Sequence, residues 1–443
     1  MRAVHHLAVA FGALVATVVI ARCAAPLDGP ALGRYSSRES TTIIAEARGE
    51  IREVAGKRIQ VRYREPPFGS ITANFEQWPT YAYTDGRTFP GPTRVPMPPI
   101  TGEPAKGRGL VISRAKGPCI GCHLIPGPDV WPAGNVGPDL SVIGDRRLPD
   151  QFLFDLIWDP RRFFPDSGMP PWGTAGILSA EEIVHIVAFL QTLKGDPPFV
   201  PPAEQDPARN PNTRPRVEPY FGDNLDPTNN PAVIFAESAE PLWSERGPGG
   251  KACTDCHEGR IATAMRGVAT TYPRYFATYG RIMSLEDYLP LHVAETTSRQ
   301  MLGQSREHIN MIMLIKMQSN GLPVNVDVTS PAARAGWERG RALYYKRVGQ
   351  RNHACADCHD RQRGGGRYIG GRLLSIADAG LTRHFPHWFT VAETLWTLRH
   401  RTQFCMLPLG MNYLPADAPE YADLELYLAS FDNGKPMSVP GIR

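Results

Sequence analysis

Three pentapeptides carry the chemistry open to this chain. Cys119-Ile-Gly-Cys122-His123, Cys253-Thr-Asp-Cys256-His257 and Cys355-Ala-Asp-Cys358-His359 share the spacing C-x-x-C-H. Two thiols on one turn reach the two vinyl groups of a single porphyrin, and the histidine that follows is placed to ligate the iron. Zinc also accepts C-x-x-C pairs, but it does not need a histidine directly after each one. A thioredoxin-type redox pair lacks that histidine as well. Written three times, the pattern predicts three covalently bound c-type haems and moves the question to the far side of each iron.

For the first haem, Ser167-Gly168-Met169-Pro170-Pro171 offers a thioether in a proline-bounded loop. Met169 is the expected distal ligand, against the blander reading of a core methionine. Histidine–methionine ligation raises an iron potential, so this haem is expected to be an electron exit. For the second haem the candidates are Met283, His292, Met301 and His308, while Met311, Met313 and Met317 lie on a helical stripe that reads as core. For the third, Cys405 stands out. Once a leader carrying Cys23 is removed, it is the one cysteine outside the haem motifs. It reads as a buried inert thiol, as half of an intermolecular disulfide, or as a thiolate ligand; Met406 and Met411 compete with it. Arg401 lies one helical turn before Cys405, and Arg399 and His400 add positive charge that would favour thiolate and attract an anion.

The elements that must hold these residues are short helices joined by long loops, as 43 prolines and 42 glycines imply. A helix is expected over Gln151 to Trp158. Another starts at Ser179, a capping residue with Glu182 three positions on, and buries Ile183, Ile186, Val187 and Leu190. Ser284 caps a short helix leading to His292. Trp337, Leu343 and Tyr344 share a helix before the third motif, much as Leu242 and Trp243 precede the second. Gly364 to Gly366 with Gly370-Gly371 reads as a flexible loop. A helical segment with Trp396 and Leu398 runs on to Cys405, and a last helix from about Glu420 presents Tyr421, Leu424 and Leu428.

The fold class expected is mainly α: three cytochrome c-like haem domains with long Pro/Gly-rich loops. The boundaries read from composition are a signal peptide at 1–25, an N-terminal extension at 26–105, a mono-haem domain at 106–195, a Pro-rich linker at 196–230, a second haem domain at 231–329 and a third at 330–443. Arg2, the apolar run Leu7 to Ile20 and the small residues through Ala25 read as an export signal, so the expected location is periplasmic. The run is short for a membrane span, and no stable membrane insertion is expected. The formal charge of +4 shrinks when Arg2 and Arg22 leave, and three haems would add about six propionate charges of opposite sign. Nothing in that balance suggests a nucleic-acid partner.

From Pro231 onward the chain resembles SoxA. The resemblance rests on Leu242-Trp243, Cys253 to His257, Leu285-Glu286-Asp287, Gln318-Ser319-Asn320-Gly321, Gly349-Gln350, Cys355 to Asp360, Arg401 with Cys405, and Leu424-Glu425-Leu426-Tyr427-Leu428. From about Gly107 to Gly195 it is similar to SoxX, through Cys119 to His123, Met169-Pro170 and the final helix. The two are usually separate subunits; here they are fused.

The resemblance implies an L-cysteine S-thiosulfotransferase that joins thiosulfate to a cysteine of a SoxYZ-like carrier and passes electrons to a small c-type cytochrome. It implies His359 and Cys405 as ligands of the reacting haem and Arg401 as the active-site arginine. Two departures stand out. Where the family places cysteine as distal ligand of the first SoxA haem, this chain has His292, which implies bis-histidine ligation. Where many relatives carry arginine after the last helix, this chain has Ser430-Phe431-Asp432. Competing readings are a thiosulfate dehydrogenase forming tetrathionate, which can also use a histidine–cysteine haem, and a non-catalytic electron-transfer protein.

Overall fold

The structure is a computed structural model. It describes residues 51–54 and 57–60, residues 89–195 except 114–115, 117–118, 128–129 and 131–132, and residues 230–442 except 390–392, 411–413 and 415. The expected signal peptide, most of the N-terminal extension, the Pro-rich linker and Met411 lie outside the described residues. Among the described residues, no helix is long and apolar enough to cross a membrane.

The helices are α1 (Pro104–Ile112), α2 (Asp150–Trp158), α3 (Ala180–Thr192), α4 (Ala232–Glu237), α5 (Ile261–Ala264), α6 (Leu285–Thr297), α7 (Arg306–Met317), α8 (Pro331–Tyr345), α9 (Cys355–His359), α10 (Leu398–Met406) and α11 (Pro419–Ser430). Short antiparallel hairpins separate them, and a three-stranded sheet orders Thr394–Trp396, His387–Phe389 and Gly441–Ile442. The architecture is mainly α, as composition suggested.

In the first cytochrome body α1 crosses α3. The crossing is close because Gly107 has no side chain: a Cβ there would stand 2.0 Å from the His185 carbonyl oxygen. Helix α3 begins with the expected reciprocal cap between Ser179 and Glu182. Its Ile183, Ile186, Val187 and Leu190 face a core with Phe154 and Ile157 of α2.

The largest core runs from Ala232 to Val439 and mixes residues from both sides of position 330, including Ile282, Ile312, Leu395, Leu426 and Met437. Helices α8 and α11 pack on its edge through two glycines. A Cβ on Gly336 would meet Ile282 Cγ1 at 2.3 Å, and one on Gly340 would meet the Asp423 carbonyl oxygen at 2.0 Å. Met311 and Met313 are buried in this core, as their helical spacing indicated.

Three local expectations change. Helix α6 does not stop short of His292 but carries it, running through Pro290 to Thr297. Proline there leaves the Glu286 carbonyl without its usual donor. Trp396 is strand rather than helix, because Thr397 caps α10 and starts it at Leu398. The glycines after the third motif form a turn in a hairpin, Tyr368–Ile369 paired with Arg372–Leu373; Gly370 and Gly371 both take positive φ (52° and 75°), which glycine adopts without steric cost.

That hairpin joins the two bodies. Gly370 N donates to the Gly121 carbonyl (2.8 Å) and Gly371 N to that of Ala133 (3.1 Å). Asn135 N donates to Tyr368 O (2.9 Å), and Asn135 Oδ1 accepts from Tyr368 N (2.7 Å). The first and third motifs are thereby fixed side by side within one chain.

The close helix contact gives a stability prediction. Gly340→Val has no room at the Asp423 backbone and should cost about 3 kcal/mol or more in thermal or urea melts. Gly109→Ala, on the exposed face of α1 where nothing lies within 4 Å, should gain about 0.5–1 kcal/mol.

Candidate haem sites and the Cys405 pocket

Each C-x-x-C-H motif closes on itself through backbone bonds to the carbonyl of its first cysteine or as a short helix. His123 N donates to Cys119 O (2.8 Å) and His257 N to Cys253 O (2.9 Å), while the third motif is the short helix α9. Two of the histidines are then oriented by a carbonyl. His123 Nδ1 is 2.7 Å from Pro138 O, and His359 Nδ1 is 2.8 Å from Ser375 O. An Nδ1–H donated this way leaves the lone pair on Nε2, the arrangement a metal-bound imidazole needs. Gly137 makes room for the His123 ring, since a Cβ there would stand 2.4 Å from it. Burial lowers the His123 pKa and keeps the ring neutral. Oriented histidines beside free paired cysteines fit a c-type haem.

For the second motif, the His257 and His292 rings stand 5.9 Å apart, centroid to centroid. Two imidazoles bound on opposite sides of one metal, at about 2.0–2.1 Å per bond, would be separated by about 6 Å. Tyr288, one turn earlier on α6, stacks on His292 and brings its hydroxyl to 3.3 Å from Nδ1. Burial, and then the facing His257, lower the His292 pKa. The other candidates lie elsewhere. Met283 and Met301 are core, and buried His308 accepts a bond from Gln304 N at Nδ1 (2.8 Å).

Met169 is half-buried against the core that also receives Cys119. Cys405 is half-buried on α10 and is not disulfide-bonded. The Cys358 thiol is pushed well up by burial first and then by the nearby Cys122 and Cys405 sulfurs. The first motif's Cys122 and the α10 residue Cys405 therefore both lie near Cys358 of the third motif. Met406, a competing ligand, is instead buried with its sulfur 3.8 Å from the Tyr421 hydroxyl.

The two arginines flanking His400 have opposite surroundings. Arg399 does not add charge around Cys405, because its fully buried guanidinium is tied to Asp287 (2.6 and 2.9 Å), Glu425 (3.2 Å) and the Ala416 carbonyl (2.7 Å). Among the described residues Arg401 has no such partners. It lies over the Phe389 and Phe404 rings, and its Nη1 is buried without a hydrogen-bond partner. A buried guanidinium nitrogen left this way is costly unless an anion meets it.

Sequence reasoning missed the acid cluster behind α10. Glu286, Asp287 and Glu425 share a buried site with Arg399 and Lys316, next to a cavity of about 60 Å³ lined in part by Glu286, Lys316, Thr397 and Glu425. Glu286 receives bonds from Gln304 Nε2 (3.0 Å) and Thr397 Oγ1 (3.2 Å), and Gln304 also bonds Gln403 of α10 (3.2 Å). Three carboxyls face two cations. Burial first, with Glu425 adding to it against Arg399, raises the Glu286 pKa to about 7. The only sequence signal was a Glu-Asp pair at a helix start, which reads as ordinary capping.

Oriented histidines beside paired cysteines, on a mainly helical frame, define a c-type cytochrome. Residues 238–324 match the family described as SoxA/TsdA, cytochrome c domain, and residues 103–190 match that described as cytochrome C oxidase, cbb3-type, subunit III. The L-cysteine S-thiosulfotransferase subunit SoxA of Paracoccus pantotrophus is 32% identical over 219 residues, covering 49% of this chain and 72% of that protein. Its counterpart from Rhodovulum sulfidophilum is 32% identical over 225 residues, 49% of this chain and 75% of that one. The crystal structure of SoxXA from P. pantotrophus aligns at 30% identity with a TM-score of 0.45, over 49% of this chain and 80% of that one. The chain belongs to the SoxA family.

The raised Glu286 pKa sets a stability prediction. Below its ordinary value of 4.5 the carboxyl is protonated in both folded and unfolded chains. Between 4.5 and about 7 the folded protein keeps the proton that the unfolded chain loses, so wild-type stability falls as pH rises through that window. Glu286→Gln removes the term, so melts at pH 5 and pH 8 should show the variant gaining roughly 1–3 kcal/mol on wild type at the higher pH. A pH-independent difference would refute the assignment.

Proposed function

We propose that this chain is a thiosulfate-oxidising L-cysteine S-thiosulfotransferase of the SoxAX type. In this reading a SoxX-like haem domain (106–195) is fused through the linker (196–230) to a SoxA-like pair of haem domains (231–329 and 330–443), and it works in the periplasm on a SoxYZ-like carrier. Three c-type haems would be held by Cys119, Cys122, His123 and Met169, by Cys253, Cys256, His257 and His292, and by Cys355, Cys358, His359 and Cys405. Bound haem would supply one-electron acceptors at each motif.

The observation that carries the reading is Arg401: a buried guanidinium nitrogen without a hydrogen-bond partner, one helical turn before the cysteine whose sulfur neighbours Cys358. A guanidinium in that setting can hold the thiosulfate dianion and offset its charge as a second sulfur approaches. The overall change is carrier–SH plus S₂O₃²⁻ to carrier–S–S–SO₃⁻, one proton and two electrons. An S–S bond forms, the S–H bond breaks, and the electrons leave for a small c-type cytochrome. Carrier thiolate is the better nucleophile, so an accessible path to Cys405 matters as much as its ligation. The contacts between the Gly370-Gly371 turn and the Gly121 segment support an exit from the third motif to the first.

The SoxA/TsdA family description leaves tetrathionate formation as the competing reaction. Thiosulfate oxidation in the presence and absence of carrier separates the two, because the dehydrogenase would run fully without carrier and yield tetrathionate.

Cys405→Ala should remove one low-spin thiolate signal from the low-temperature electron paramagnetic resonance spectrum and leave the others. Retention of every signal would end the ligand assignment. Arg401→Gln should lower carrier-dependent kcat/KM by about 10²–10³, the usual effect of removing a preorganised charge stabiliser. His292→Ala should convert one remaining low-spin iron to high spin and leave the Cys405 signal in place.

A further inference from the structure

The loop carrying Met169 is anchored at its ends, by Phe163 against Phe152 and by the buried Pro170 to Trp172, and is sparely bonded between them. Ser167 N donates to Phe164 O (2.9 Å) and Met169 N donates to Ser167 Oγ (3.1 Å). Phe163, Phe164, Pro165 and Asp166 are exposed. A neutral thioether is a weak ligand, and the chain entropy of such a loop opposes its seating.

The middle of the loop is restrained from the other half of the chain. Arg347 Nη2 donates to the Asp166 carbonyl (2.9 Å). The same guanidinium is locked by Asp357 (2.8 and 3.2 Å) and by the Asn352 carbonyl (2.8 Å). The buried His353 ring lies within electrostatic reach of the Gly168 carbonyl, one residue before the methionine, and its Nε2 has no hydrogen-bond partner among the described residues. His353 is itself pinned by paired backbone bonds with Val348 (2.9 and 3.1 Å). Burial lowers its pKa to about 4, so it meets that carbonyl as a neutral ring. Gly168 rests against Asp357, with 3.8 Å between an ideal Cβ there and Asp357 Cβ. Asp357 sits between Cys355 and Cys358 and caps its own turn through Ala354 N (3.0 Å). Residues 166 and 168 are thus gripped from residues 347, 353 and 357, on either side of the loop's one serine contact.

We propose that Arg347 and His353 are positioning residues for Met169: the third motif's domain clamps the ligand loop of the first haem and keeps its thioether seated. The proposal rests on the reading of Met169 as that ligand. The high potential of the exit haem then depends on the two halves being docked, and a first domain cut free of its partner would hold methionine loosely.

The test uses full-length holoprotein with Arg347→Gln, His353→Ala and the double substitution. The readouts are the far-red charge-transfer band of methionine-ligated ferric haem, the midpoint potential of the first haem, and displacement of the methionine by added imidazole. The expected results are a weakened band, a lowered potential and imidazole affinity raised about tenfold for each grip removed, the factor that one hydrogen bond of ordinary net strength gives. His353→Gln, which keeps an N–H donor, should restore the band. The Cys405 thiolate signal in the same samples reports that the third haem is intact. An unchanged band, potential and imidazole affinity in the double variant would overturn the clamp. A wild-type protein without the band would instead overturn Met169 ligation, and the clamp with it.

Discussion

The arrangement depends on one buried cation. Arg399 joins α10 to Asp287 of α6 and to Glu425 of α11, and it stacks over Tyr421. A buried guanidinium stripped of its partners costs about 3–5 kcal/mol, so the three helices cannot drift apart without exposing that penalty. Helix α10 also carries Arg401 and Cys405, while α6 carries His292. The ion pair therefore fixes the register between the second histidine pair and the proposed sulfur pocket. Its chief contribution is geometric: paired charges of this kind often add little net stability over an apolar replacement, but they tolerate few alternative packings.

Around that anchor the charges divide by role. Arg399 is neutralised inside the protein and is unavailable to a ligand. Arg401, two residues later and so on another face of the helix, keeps a nitrogen without a hydrogen-bond partner among aromatic rings. Asp432, in the turn after α11, spends its carboxylate on Thr382 N (2.8 Å) and Arg383 N (3.2 Å), holding the segment before the sheet. The acid cluster with Glu286 lies behind α10 and is joined to it through Thr397 and Gln403.

Both cytochrome domains lie in one chain, so the contact between the halves is intramolecular. Backbone bonds from the Tyr368–Leu373 hairpin to residues 121–135 are modest one by one, and two separate subunits would have to offset the entropy of association with them. Within one chain that cost is largely removed by effective concentration. The face brought together is the one on which Cys122 and Cys358 are neighbours.

Local sequence order determined much of this protein. Covalent haem attachment was legible because C-x-x-C-H is a contact made within one turn. The Ser179 cap, the α3 stripe and the methionine core of α7 were legible because capping and periodicity act over three or four residues. Arg401 and Cys405 could be paired on one face by counting a helical turn. The sequence could not reveal that Arg399 is spent on Asp287 and Glu425, that Glu286 holds a proton near neutrality, that His292 meets His257 across 5.9 Å, or that the glycine-rich loop is a docking hairpin. Each of those depends on groups tens to hundreds of residues away, and burial and charge pairing are set by what lies across space from a side chain rather than by what precedes it in the chain.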